Sequence, residues 1–152
     1  MSLNDPLIPT GVPTPILFRP FLEAMEGPLT RRPVAGPPAP PEAVALLEAR
    51  TGRRLPAPLR QFLYAWDGAR VGGAEILGLA ALDAAFAADP AAKRLIPFAR
   101  DAGRTLYFDP SRPNPKGDPA VVYSGPTGSL ETIPVRPGFS EWLNAVIDSL
   151  SH

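Results

Sequence analysis

Three aspartates, Asp101, Asp109 and Asp118, lie close enough in sequence to be considered as a metal or acid–base set. Two carboxyl groups sharing a pocket at about 5 to 10 Å could divide general-acid and nucleophile or base work in a hydrolase, and Asp101 and Asp109 are the pair in question. Against calcium, prolines interrupt Asp109-Pro110-Ser111-Arg112-Pro113-Asn114 where a calcium loop needs liganding side chains. Asp101 beside Ala102-Gly103 and Asp109 at a strand end also fit turn-capping roles. Other chemistries lack parts. Cysteine is absent, so there is no thiolate nucleophile, zinc–thiolate site or disulfide framework. His152 is the single histidine and ends the sequence, which leaves Ser124 and Ser129 with no imidazole to activate them. Neither a glycine-rich phosphate loop ending in Lys-Ser/Thr nor a Gly-x-Ser-x-Gly elbow occurs. No cofactor or metal is expected, and the balance favours binding over catalysis.

Charge is the second candidate feature. Residues 50 to 70 carry Arg50, Arg53, Arg54, Arg60 and Arg70 against Asp67 alone; residues 93 to 116 carry six basic residues against Asp101 and Asp109. Such segregation could build a basic face for an acidic partner or phosphates, or it could reflect arginines on solvated faces of an Arg-biased chain, thirteen Arg to two Lys. The formal net charge is zero and only 20% of residues are charged, which speaks against a nucleic-acid partner of the usual basic kind.

At 152 residues the chain has the size of one ordinary domain, and its 45% apolar content is enough for a core. Proline is the unusual residue, with 22 copies at roughly three times the usual share of about 5%. Eleven of them fall in residues 1–41, which predicts an extended or turn-rich leader with one short helix at Pro15 to Glu26. Ile16, Leu17, Phe21, Leu22 and Met25 would dock that helix on the main body, residues 42–152. Pro37-Pro38-Ala39-Pro40-Pro41 contains the PxxP spacing read by aromatic grooves, so an interaction scaffold binding through the leader is one alternative; a stiff spacer is the other.

Beyond the leader, a helix from Pro41-Glu42 to Gly52 is expected. A second follows from about Pro58, with Leu59, Phe62, Leu63 and Trp66 on one stripe. Arg70-Val71-Gly72-Gly73 reads as a loop, Glu75 to Leu79 as a strand and Ala80 to Ala88 as a helix. Strand-like runs follow at Leu95 to Ala99, Thr105 to Phe108, Ala120 to Tyr123 and around Ile133 to Val135. Last comes a helix carrying Phe139, Trp142, Leu143, Val146, Ile147 and Leu150. Short turns between the strands predict an α+β fold, a mostly antiparallel sheet of about four to six strands flanked by N- and C-terminal helices. Trp66 and Trp142 are expected in the core, whereas Tyr107 and Tyr123 could face core or partner. Met1-Ser2-Leu3 lacks the basic start of a secretory signal and no apolar run reaches about 20 residues, so a soluble cytoplasmic protein without membrane contact is expected.

The series Leu46-Leu47-Glu48, Gly52-Arg53-Arg54-Leu55-Pro56, Leu59-Arg60-Gln61-Phe62-Leu63 and Trp66-Asp67-Gly68 resembles the opening of the SUKH superfamily. That domain is shared by the yeast Smi/Knr cell-wall synthesis regulator and many bacterial toxin-immunity proteins. Leu95 to Arg104 and on to Asp109 looks like the middle of the family, and Phe139-Ser140-Glu141-Trp142-Leu143 like its closing aromatic helix. Two glycine pairs usual in the family stand here as Gly68-Ala69 and Ala102-Gly103. The resemblance implies a non-enzymatic, protein-binding domain, an immunity protein or regulator whose partner is a protein such as a cognate toxin domain. The expected contact residues are Asp67, Arg70, Arg100, Asp101, Arg104 and Asp109, charged groups on loops held by a rigid sheet.

Overall fold

Proline and glycine set the ends of the helices in the order the chain meets them. A computed structural model describes residues 18–27, 32–101, 103–115, 117–124 and 132–150. Helix α1 spans Arg19–Met25. Helix α2, Pro41–Thr51, starts with a proline in its first turn, where no amide donor is needed. It ends at Gly52, whose φ of 69° is the left-handed cap conformation. Helix α3, Ala57–Ala65, also opens on prolines and stops where Trp66 turns extended. Leu79–Ala88 forms α4, Pro90–Lys93 a 3₁₀ turn, and Phe139–Ser149 the closing helix α5. Residues 15–17 of the expected first helix and the expected turn at 125–128 lie outside the described residues.

The strands form one antiparallel meander in chain order: β1 Val34–Ala35, β2 Ala69–Val71, β3 Ala74–Ile76, β4 Ile96–Asp101, β5 Arg104–Pro113, β6 Pro119–Ser124 and β7 Thr132–Arg136. The expected α+β class is what the structure shows. Strands β3 to β7 answer to the five expected runs, β2 adds a sixth, and a two-residue strand from the Pro-rich leader extends the edge. The segment Arg70 to Gly73, expected as a loop, is instead half of a hairpin: Arg70 and Val71 pair with Glu75 and Ala74 around Gly72-Gly73. The reason is local alternation, because Ala69, Val71, Ala74 and Ile76 are buried while Arg70 is exposed.

Helices α1, α3 and α5 cover one face of the sheet, and α4 packs on β4 and α2. Their shared core is aromatic. Phe139, at the start of α5, lies 5.7 Å from Phe62 of α3, 5.7 Å from Phe98 of β4, 6.0 Å from Phe108 of β5 and 6.2 Å from Phe18 before α1. Phe98 and Phe108 stack at 4.1 Å across the β4–β5 pair, and Trp142 closes edge-on to Phe98. Both tryptophans serve the core as expected, Trp142 buried and Trp66 packed at its margin beside Phe21.

The described part of the leader belongs to this core. Phe21 is fully buried, 5.1 Å from Phe62 and 4.6 Å from Trp66. The Pro37–Pro41 run is held along α3 by two backbone hydrogen bonds, Ala39 N–H to the Leu63 carbonyl at 2.9 Å and Asp67 N–H to the Pro37 carbonyl at 2.6 Å. Replacing Phe21 by Ala is therefore expected to cost about 3 to 5 kcal/mol, as for a buried core ring. Leu46→Ala, at a side chain 61% exposed, should stay within about 0.5 kcal/mol. Urea unfolding followed by tryptophan fluorescence measures both.

Candidate functional site

The period-two geometry of strands divides the expected contact residues between two faces of the sheet. On the face turned away from α1, α3 and α5, register places Val34, Arg70, Glu75, Arg100 and Thr105 side by side across β1 to β5. Arg70 and Arg100 are exposed and flank the half-buried Glu75, so the row reads plus, minus, plus, with Val34 70% exposed at its end. Four strand spacings make the row about 19 Å long. Both arginines project from paired strands, not from loops as expected. Beside them a groove of about 450 Å³ runs between β1 and the start of α4, lined by Val34, Gly36, Asp67, Arg70, Glu75 and Gly78 among others.

Further along the same face, Leu95, Tyr107 and Val122 form a small second cluster with Ala91 of the 3₁₀ turn. The Tyr107 hydroxyl donates to Asp89 Oδ2 at 2.5 Å, and Asp89 Oδ1 in turn accepts from Ala91 N–H at 2.9 Å. Tyr107 is thus buried under the 3₁₀ turn, which answers whether it faces core or partner. Tyr123 lies on the opposite face, half-buried, with the Arg104 guanidinium 4.8 Å above its ring centroid.

The remaining expected residues go elsewhere. Asp101 and Arg104 oppose each other at the end of β4–β5, in the row that also holds buried Ala74, and so belong to the helix-covered side. Asp67 is structural. Its Oδ1 accepts Leu79 N–H at 2.7 Å, capping α4 in place of Gly78, which has no side chain to do so. Asp109 is 7% exposed and opposes Ala120 on the outward face. Its Oδ1 accepts from Ser111 N–H and Oγ–H, while Oδ2 lies 3.3 Å from Arg112 Nε.

Those positions correct the carboxylate-pair alternative. Asp101 and Asp109 fall on opposite faces of the sheet, and the five residue steps from Arg104 to Asp109 add about 17 Å along the strand. They cannot flank one substrate in a pocket. Asp118 is a turn residue, its N–H bound by Asn114 Oδ1 and its carbonyl by Asn114 N–H. Among the described residues no group of three His, Asp or Glu side chains is placed to hold a metal. The single basic face considered from composition is dispersed as well. Arg50 pairs with Asp83 at 3.2 Å, Arg53 donates to the carbonyls of Ala92 and Arg94, and Arg112 serves Asp109.

A family model described as the SMI1 / KNR4 family (SUKH-1) matches residues 38–145, which spans α2 to most of α5. The chain belongs to that family. No curated protein matches it. In this SUKH-1 chain the matched region begins at the leader strap that holds α3, and the segment before it, with α1 and β1, contributes Phe18, Phe21 and Val34. No helix among the described residues is long and apolar enough to cross a membrane.

Sequence reasoning missed Val34, Glu75 and Thr105 on the charged row. The alternation in Ala69-Arg70-Val71 and Ala74-Glu75-Ile76 was the available signal for Glu75; no local pattern could announce that Val34 pairs with Arg70. The backbone fixes glycine at position 68. Gly68 has φ +85°, and a Cβ there would lie 2.8 Å from Gly78 N and 3.0 Å from Ile76 O, both backbone atoms. Ala69 instead enters β2 and is buried. Gly68→Ala is expected to destabilise by at least about 2 kcal/mol, and Asp67→Ala by about 1 to 2 kcal/mol through the lost cap. Asp101→Asn should leave the midpoint of urea denaturation nearly unchanged.

Proposed function

We propose that this SUKH-1 chain is a non-catalytic protein-binding domain, an immunity protein or regulator that captures a toxin domain or another protein partner through the uncovered sheet face. Family membership supports a binding domain of this kind. The observation that carries the choice of surface is the register row Arg70–Glu75–Arg100, bordered by Val34 and Thr105. Strand pairing fixes the backbone beneath these charges, so binding orders only their side chains and meets a defined pattern. Glu75 between the two arginines opposes a run of phosphates and favours a protein surface carrying acid, base and acid in the same order. Zero net charge agrees with a partner recognised by local pattern instead of by bulk attraction.

Of the contact residues expected from sequence, Arg70 and Arg100 stay in the proposed surface. Asp101 and Arg104 would form at most a rim on the other side, and Asp67 and Asp109 support the scaffold. The test is capture of a toxin domain encoded beside this chain, followed by charge reversal. Arg70→Glu and Arg100→Glu should each weaken the complex about tenfold or more, largely through slower association at low salt, with folding unchanged. Asp101→Asn should bind as the parent does. Equal affinity of both reversals and the parent overturns the surface, and absence of any toxin or protein target near the gene counts against immunity.

A further inference from the structure

The end of the sheet opposite Asp101 and Arg104 carries a second cavity, independent of the charged row. It holds about 300 Å³ between the α2–α3 connection and the β5–β6 hairpin. Arg54 and Arg60 are the charged residues lining it, and the walls are otherwise apolar, drawn from Ile96, Pro110, Pro113 and Pro119 among others. Arg60 Nε is buried inside the protein without a hydrogen-bond partner. A buried cationic donor left unpaired is costly, whereas Arg50, Arg53 and Arg112 donate to acceptors. The first turn of α3 at Ala57, which no side chain caps, borders the same space and adds to its positive potential.

We infer that this cavity is a binding site for a carboxylate carried on a short apolar stem. Two guanidinium groups lining the cavity supply planar forks that match a carboxylate, and the unpaired Nε beneath the surface leaves the Arg60 cation without an acceptor inside the protein to balance it. The proline and isoleucine walls would stay wetted under a bare inorganic anion but are covered by methylene groups attached to the acid. A space of about 300 Å³ lies at the lower end of small-molecule sites, which suits one acidic side chain or a small organic acid and not a nucleotide.

The experiment is an NMR titration of the ¹⁵N-labelled full chain with butyrate, with an acetylated and amidated Gly-Glu-Gly peptide, with inorganic phosphate and with chloride. Butyrate or the peptide should give saturable shifts at the amides of Ala57, Leu59 and Gly117 and at Arg60 Nε–H. Saturation by the peptide marks a polypeptide side chain as the natural source, and saturation by butyrate alone marks a free acid; either upholds the site. Arg60→Gln should weaken binding about tenfold or more. Arg54→Gln, a change at an exposed residue, should weaken it severalfold and carries the test if the Arg60 variant does not fold. Linear, unsaturable shifts, equal affinity in the folded variants, or chloride or phosphate matching butyrate would each overturn the inference.

Discussion

Phe139 sits where every layer of the molecule meets. From the first turn of α5 its ring touches Phe62 of α3, the stacked Phe98 and Phe108 of the central strands, and Phe18 ahead of α1. Burying rings of this size is the largest favourable contribution available to a chain with no disulfide and few salt bridges among its described residues. It also decides which side of the sheet is inside. Once Phe98, Phe108, Leu106 and Ile76 face the helices, strand periodicity turns Arg70, Glu75, Arg100, Thr105 and Tyr107 outward. The face proposed for recognition is thus the reverse side of the aromatic core.

The two ends of that face are treated differently. Toward β5 and β6 the 3₁₀ turn covers it, with Tyr107 held by Asp89 and packed with Leu95 and Val122. Toward β1 it is open, and the leader supplies the boundary through Val34. The junction behind it is tight. Gly36 N–H donates to the Gly68 carbonyl at 2.9 Å, Asp67 caps α4, and Gly78 leaves room for the Asp67 backbone. A rigid junction under an open charged row is a suitable base for binding, because little conformational freedom remains to be lost on association.

Much of this architecture is legible in the sequence. The helices at α2, α3 and α5 carry apolar residues at helical spacing and each begins at a proline or glycine, so their positions follow from local chemistry. The later strands are marked by β-branched and aromatic runs between turns. The hairpin β2–β3 is harder to see because each strand has three residues, too few for alternation to stand out from a glycine-containing loop. β1, two residues long in a Pro-rich leader, has no local signature at all. Its existence depends on Arg70 and Ala69, some 35 residues away.

The candidate sites divide in the same manner. The sequence by itself determined that histidine and cysteine chemistry is missing from the body of the chain, that the fold is α+β, and that arginines are the abundant polar groups, since these depend on composition and short-range pattern. Only the tertiary structure decided which charges act together. Arg70, Glu75 and Arg100 become neighbours through strand register, Asp101 and Asp109 are separated by the two faces of one sheet, and Arg54 and Arg60 meet Pro110, Pro113 and Pro119 at a shared cavity. Each of these relations joins residues distant in sequence, and distance in space is set by how the aromatic core packs.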